Sequence, residues 1–178
     1  MARIPIDPTE LLRETIAALA DPGCLLVSKG SDGTPNVMTI GWATFGVIWG
    51  LPICTVYVRH SRHTWKLLEQ HGEFTVNVPA ADLAQAAVTC GTLSGRDADK
   101  FAEAGLTPVP AAQVDVPIID ECVLHYECSV VHRTNVDPMH LAGSVLDGCY
   151  SKGDFHAIYH GHILGAQAHE NARARLGG

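Results

Sequence analysis

Gly33-Thr-Pro-Asn-Val-Met-Thr-Ile-Gly-Trp-Ala-Thr-Phe-Gly-Val-Ile-Trp-Gly-Leu-Pro-Ile-Cys-Thr-Val-Tyr-Val58 carries no charged residue, and its reading decides the fold. A membrane-spanning helix needs roughly 20 apolar residues, so the run is long enough to be taken for one. Its punctuation argues otherwise. Gly33, Gly41, Gly46, Gly50, Pro35 and Pro52 are poor helix residues, and Thr39, Thr44 and Thr55 stand among β-branched and aromatic neighbours. That composition suits two buried strands around a turn, and no membrane partner is expected.

Working outward, residues 9–19 predict a helix with Thr9 as its cap and Leu11, Leu12, Ile16 and Leu19 on one face, ended by Asp21-Pro-Gly23. Strands follow at 24–29 and 36–44 around the turn Gly30-Ser-Asp-Gly-Thr-Pro35, then at 53–59. Residues 64–71 predict a short helix closed by Gly72, and Phe74, Val76 and Val78 mark a strand by their period of two. Helical patterns recur at 79–90 and 97–104. The chain then turns back to β at 116–119, 123–131, 140–146 and 157–163. Many strands with inserted helices, and no regular alternation of strand and long helix, point to a closed or partly closed antiparallel barrel. Residues 170–178 read as a flexible tail.

The 178 residues suit one domain, with the N-terminal helix at about 9–20. With 47% apolar and 17% charged residues the composition is globular, and a net charge of −7 without a basic stripe makes nucleic acid a poor partner. Six cysteines behind a start that lacks a secretory pattern lead us to expect reduced thiols and a cytoplasmic protein.

Arg59-His-Ser-Arg-His-Thr64 joins a predicted strand to a predicted helix. Helix-start amides and the dipole favour an anion, and the Ser61 and Thr64 hydroxyls with the Arg62 guanidinium add donors suited to phosphate. A capped helix with solvated arginines uses the same residues, and spacing alone does not choose between the two. Gly91-Thr-Leu-Ser-Gly-Arg-Asp-Ala-Asp-Lys-Phe101 offers two glycines for close backbone approach and polar tips at Ser94, Arg96 and Lys100, but lacks the spacing of a nucleotide P-loop. His156, His160 and His162 lie close in sequence, without the spacing of a metal motif, and no metal is expected. Cys122 and Cys128 read as buried structural thiols on one face of a strand.

Four blocks in order, Asn36-Val-Met-Thr-Ile-Gly-Trp42, Ser61-Arg-His-Thr64, Gly72-Glu-Phe-Thr-Val-Asn77 and Cys90-Gly-Thr-Leu-Ser-Gly-Arg-Asp-Ala-Asp-Lys-Phe101, resemble the flavin reductase-like family, in particular its flavoredoxin branch. The similarity runs from about residue 23 to 128 and becomes faint beyond Val131. It implies a mainly β, antiparallel Greek-key FMN-binding split β-barrel with peripheral helices, usually a homodimer with FMN near the interface. By matched position, Asn36, Val37, Met38 and Thr39 would lie along the isoalloxazine and ribityl chain, and Ser61, Arg62 and Thr64 would hold the phosphate. Asn77, Cys90, Ser94 and Lys100 match further positions that line or approach the cofactor. Family members that take hydride from a nicotinamide often carry Gly-Asp-His before a strand ending in Gly-x-Val. The stretch matched to it here, Val136-Asp-Pro-Met-His-Leu-Ala-Gly-Ser-Val145, has Pro138 at the His position and leaves His140 as the nearest imidazole, the weak catalytic candidate.

The resemblance implies an FMN oxidoreductase of flavin reductase or flavoredoxin type, taking electrons from NADH, NADPH or a redox partner to a small acceptor, with a monooxygenase among the possible partners. Two other readings stand beside it. One is an FMN electron carrier without nicotinamide turnover, and the other a barrel without FMN serving as a binding or metal-sensing module.

Overall fold

Ten strands and six helices are laid out over residues 2–177, the part of the chain that this computed structural model describes. β1 (Arg3–Pro5) leads through a turn in which Asp7 Oδ1 accepts from Thr9 N at 2.8 Å and Thr9 Oγ1 at 2.5 Å, and then into α1 (Leu12–Ala20). Thr9 is therefore not the helix cap. Its hydroxyl is held by Asp7, and the residue preceding the helix is Leu11, without a side-chain cap.

The charge-free run forms more than the two expected strands. After β2 (Cys24–Lys29) come β3 (Pro35–Ile40), β4 (Ala43–Ile48) and β5 (Leu51–Arg59). The strand expected over 36–44 stops at Ile40, because Gly41 packs where an added Cβ would sit 3.2 Å from Leu19 O at the end of α1. Burial also departs from expectation. β4 is largely exposed, with Val47 at 76%, since it ends the sheet and nothing among the described residues covers it. Trp49 (φ 56°) and Gly50 (φ 73°) form the tight turn into β5, the backbone type whose twist matches a hairpin.

The remaining elements are α2 (His63–Gln70), β6 (Glu73–Val78), α3 (Ala84–Thr92), α4 (Lys100–Ala104), the short ladder β7 (Pro108–Val109) with β8 (Ile118–Ile119), β9 (Leu124–Asn135), α5 (Gly143–Tyr150), β10 (His156–His169) and α6 (Ala172–Arg175). Antiparallel pairing runs in the order β3-β2-β6-β9-β10-β5-β4, with β1 added to β10. The two ends of this path, β3 and β4, are joined through only Gly41 and Trp42. At 3.8 Å per Cα step, Ile40 and Ala43 are at most about 11 Å apart. The sheet must therefore roll up, yet β3 and β4 share no ladder, so the barrel stays split along that seam.

Side chains alternate across the wall. Cys24, Leu26, Met38, Phe74, Val76 and Tyr126 fill the interior, whereas Leu25, Val27 and Val37 face outward against Ala87, Cys90 and Phe101 of α3 and α4. Full burial of a Leu or Phe stabilises by about 1.5–3 kcal/mol, which makes the period of two decisive for register. At Gly161, beside a register shift in β10, an added Cβ would lie 2.5 Å from Phe74 Cζ, so only glycine lets the two strands close over that ring. Cys122 and Cys128 are both buried but belong to different cores, because Cys122 precedes β9 instead of sharing its face.

The strand expected at 140–146 is absent. Asp137 caps a 3-10 turn at Pro138–His140 by accepting from Met139 N at 2.9 Å, and the Ala142 carbonyl then starts α5. Residues 136–155 thus form an excursion off the sheet between β9 and β10. Residues 170–177, read as a tail, carry α6, whose Arg173 pairs with buried Glu14 at 2.7 Å and whose Arg175 reaches Asp82 at 3.2 Å. Gly178 lies outside the described residues.

Candidate functional site

The segment between β5 and α2 adopts the expected strand-to-helix junction. Arg62 is the extended N-cap residue (φ −75°, ψ 142°), and its carbonyl accepts from Trp65 N at 3.2 Å. Thr64 does not cap the helix, since it is buried with its Oγ1 accepting from Asn36 Nδ2 at 2.9 Å, which ties α2 to β3. Ser61 is also engaged: its N and Oγ donate to the Asp154 carboxylate at 3.3 and 2.7 Å. The Arg62 guanidinium makes one long internal contact, Nη1 to Gly91 O at 3.4 Å, and stays available to a ligand.

Facing this junction is the loop from α3 to α4. It passes so close to β3 that a Cβ on Gly95 would lie 2.0 Å from Asn36 Oδ1 and 3.2 Å from His63 Cδ2. Arg96 Nη1 donates to Ser61 O at 3.1 Å, and Asp99 caps α4 through Phe101 N and Ala102 N. Lys100 is buried, with Nζ donating to Cys90 O at 3.0 Å. Burial lowers its pKa to about 8, nearby Arg62 pushes the same way, and Cys90 opposes. The Cys90 thiol is itself raised to about 11 by burial, so it is not an activated nucleophile.

Three hollows follow one another along this surface. The first, about 160 Å³, lies among Met38, Thr39, Trp42, Tyr57, Arg62 and His156. The second, about 200 Å³, shares Met38 and Arg62 with it and adds Ser61, Thr64, Ser94 and Lys100. The third, about 940 Å³, adjoins the second through His63, Gly95, Arg96 and Lys100. At the far end of the first, the His156 ring lies 4.7 Å from that of Trp42, and its Nδ1 is hydrogen-bonded to Tyr150 Oη at 2.8 Å. Burial, then Arg59, lowers the His156 pKa to about 4, with Asp154 opposing, and its imidazole is neutral at physiological pH.

The sequence matches the model of the flavin reductase like domain over residues 16–176. The chain belongs to this family. An uncharacterized protein of Archaeoglobus fulgidus is 39% identical over 97 residues, a span that covers 54% of this chain and only 54% of that protein. An uncharacterized Pyrococcus abyssi protein is 31% identical over 132 residues, 73% of this chain and 74% of its own length. Among solved structures, flavoredoxin of Desulfovibrio vulgaris (Miyazaki F) superposes with a TM-score of 0.67 at 27% identity, covering 84% of this chain and 70% of that one. Component B of nitrilotriacetate monooxygenase from Bacillus cereus shares the fold, with a TM-score of 0.68 at 16% identity over 96% of this chain and 84% of that one. The open, rolled antiparallel sheet is the split barrel of the FMN-binding members of this family.

Within this flavin reductase-like chain the expected site residues divide. Met38, Thr39, Ser61, Arg62, Thr64, Ser94 and Lys100 line the first two hollows, and Asn36 lines the third. Thr39 donates its hydroxyl to Ala87 O at 2.5 Å. Val37 packs in the outer core, whereas Met38, on the opposite side of β3, packs in the inner core and also borders the first two hollows. Cys90 lies beneath the site and meets it only through the carbonyl that holds Lys100. Asn77 is elsewhere: its Nδ2 donates to Leu25 O and Thr75 Oγ1, and its Oδ1 accepts from Ile119 N and meets His125 Nδ1. With every amide position satisfied in the core, it has none left for a ligand.

His140 is not brought to these hollows. It sits on the excursion with 83% of its side chain exposed, paired with Asp137 at 3.1 Å, and lines none of the three hollows. The strand with the Gly-x-apolar ending is β10, whose Gly161-His-Ile163 is preceded by Gly153-Asp-Phe-His156. The excursion had displaced the match. Gly153-Asp154 ahead of His156, with Gly161 beyond it, was the signal in the sequence. Trp42, Tyr57 and Arg59 were also missed, and only their place on β5 and beside the seam brings them to the site. His160 keeps different company from His156, meeting Thr55 Oγ1 at 2.9 Å and lying beside the tilted ring of His132 and edge-on to Trp49. Among the described residues no group of three or more His, Cys, Asp and Glu side chains is arranged to hold a metal ion.

Proposed function

We propose that the chain is an FMN-binding oxidoreductase of one flavin reductase-like domain. The observation that carries this reading is the continuity of the first two hollows, which run from an aromatic and imidazole wall at Trp42 and His156, past Met38 and Arg62, to a helix start flanked by Ser94 and Lys100. A flat ring system with a polyol chain and a terminal phosphate fits that order. Met38 offers a polarizable face, β3 backbone groups meet the polar ring edge, and Arg62 with the α2 amides and Lys100 holds the phosphate. The close approach at Gly95 and the cationic groups without internal carboxylate partners fit the same cofactor. FMN would supply two-electron chemistry between a donor and a small acceptor.

His156 supports a reduced nicotinamide as donor. Its Nδ1 is fixed by Tyr150 and the residue lines the first hollow, which leaves Nε2 as the ring nitrogen not engaged by Tyr150. The likeness to flavoredoxin supports the second reading, an FMN carrier that exchanges electrons with a redox protein or a monooxygenase. One experiment separates them. Purified protein should show a flavin spectrum, anaerobic NADH or NADPH should bleach it if the nicotinamide reading is right, and a yellow protein indifferent to both would leave the carrier.

A homodimer is part of the proposal. β4 ends the sheet with a free edge, and Val47, Ile48 and Trp49 expose apolar surface there. Trp49, at the tip of this hairpin, is 62% exposed, an apolar side chain that a second copy would cover. A reducing, cytoplasmic setting agrees with six free thiols, five of them buried. Among the described residues no helix is long and apolar enough to cross a membrane.

A further inference from the structure

Away from the three hollows, β9, β10 and the turn between β4 and β5 bring two imidazoles and an indole together. Gly161 turns to the barrel interior beside Phe74, so its neighbour His160 faces outward. His160 stands directly opposite His132 of β9 in the antiparallel ladder, and the register shifts at the next step, where Gly161 pairs with Val130. Val131 is thus the extra residue of a β-bulge, a feature that re-aims the side chains beside it. The His132 and His160 ring centroids are 5.2 Å apart, and the Trp49 ring lies 5.8 Å from the first and 6.0 Å from the second. We propose that His132 and His160 form a two-imidazole site for a borderline divalent transition cation, with water in the remaining positions and Cu2+ held most tightly by the Irving–Williams order.

The separation of the rings carries the inference. At a metal–nitrogen distance of about 2.0–2.1 Å, with each ring centre about 1.1 Å behind its nitrogen, two imidazoles on one tetrahedral cation have centroids about 5 Å apart. The observed 5.2 Å meets that requirement, so the strands need not move to admit the cation. Thr55 is the second observation. It is buried, and its Oγ1 lies 2.9 Å from His160 Nδ1. By accepting the Nδ1 proton it fixes the tautomer whose Nε2 carries the free lone pair, the support that metal-bound histidines regularly have. Burial, then His132, holds the His160 pKa below the ordinary histidine value, which favours the neutral, ligating ring. Two protein ligands leave open positions, so the cation would brace β9 to β10 at the bulge and still exchange with solvent. Sequence spacing misses the pair because its members come from different strands. The site is independent of the FMN reading, since neither histidine nor Trp49 lines any of the three hollows.

Titration of the full chain with Cu2+ in a non-chelating buffer, read by tryptophan fluorescence, tests the site, because a copper ion beside the Trp49 indole quenches its emission. The quench should saturate and remain partial, since Trp42 and Trp65 lie elsewhere. Mg2+, which prefers oxygen ligands, should neither quench nor compete. His132→Ala, at an exposed position that the fold does not depend on, and His160→Ala should each weaken binding at least tenfold, whereas His140→Ala should leave it unchanged. Thr55→Val keeps both imidazoles and should weaken binding about tenfold, as loss of a hydrogen bond behind a ligating histidine does. Trp49→Phe should remove the quench while equilibrium dialysis still finds the cation bound. The inference is overturned if wild type and the His132→Ala/His160→Ala double variant titrate alike by dialysis, which would assign the copper to adventitious binding at other histidines or at the exposed thiol of Cys149. It is equally overturned if the wild type binds copper without any loss of Trp49 emission.

Discussion

Replacing Arg62 by alanine tests the phosphate assignment most directly, because the structure separates its ligand role from its structural one. Its backbone carbonyl accepts from Trp65 N, and alanine keeps that bond. Its side chain makes only the 3.4 Å contact to Gly91 O, near the limit for a hydrogen bond, so truncation should cost the apoprotein little stability. A hydrogen bond to an ionised group contributes about 1.5–3 kcal/mol, and each 1.4 kcal/mol is a factor of ten, so Arg62→Ala should weaken FMN binding by roughly 10- to 150-fold. Riboflavin lacks the phosphate, and its affinity should barely move. The assay is a titration of apoprotein with each flavin, read by quenching of flavin fluorescence, at two salt concentrations. Wild type should lose FMN affinity faster than riboflavin affinity as salt rises, and the variant should lose that difference. Equal losses for both flavins would refute the reasoning and put Arg62 beside the ring, which the first hollow also allows.

Four further outcomes are expected. His156→Asn should slow anaerobic reduction by NADH at least tenfold in stopped flow, while His140→Ala leaves it unchanged; and because His156 titrates near 4, the wild-type rate should show no step around pH 6.5, where an ordinary histidine would produce one. Lys100→Met should stabilise the apoprotein and weaken FMN binding. Folding lowers the Lys100 pKa from 10.5 to about 8, so between those values the unfolded chain holds a proton that the folded chain has lost; the penalty in wild type is full below about 8 and fades as pH rises, and the gap in urea midpoint between variant and wild type should narrow from pH 7 to pH 10. Gly95→Ala, which sets a methyl 2.0 Å from Asn36 Oδ1, should lower FMN affinity at least tenfold with the circular dichroism of the fold retained, and unaltered affinity would show that the loop yields freely. Light scattering at low micromolar concentration should give twice the 19.0 kDa chain mass for wild type and near the single-chain mass for Val47→Asp, and a monomeric wild type would end the dimer proposal.

Much of this was already present in the order of residues. The bounds of β2 follow from a short apolar run between turn residues and β6 shows a period of two, α4 begins after its Asp99 cap, and the strand-to-helix junction at Arg62 stands where a polar, hydroxyl-rich segment meets an amphipathic one. These features depend on neighbours within a few positions, and sequence records such neighbours directly. The fate of β4 does not depend on them. Its residues have strand propensity and no charge, but whether they are buried depends on what lies beyond the last ladder of the sheet, which no local pattern states. Asn77 looked like a ligand contact, and the register of β2, β6 and β9 instead saturates it inside the core. His156 was hidden by the excursion over residues 136–155, which moved the matching motif away from the place where spacing put it. It meets Trp42 only because β10 pairs with β5 and β5 with β4, closing the sheet toward the β3–β4 seam. Local periodicity and end chemistry therefore determined which elements form and where a strand meets a helix start. Rolling the sheet on itself decided which distant side chains share one hollow, because that depends on long-range register and on the burial that register enforces.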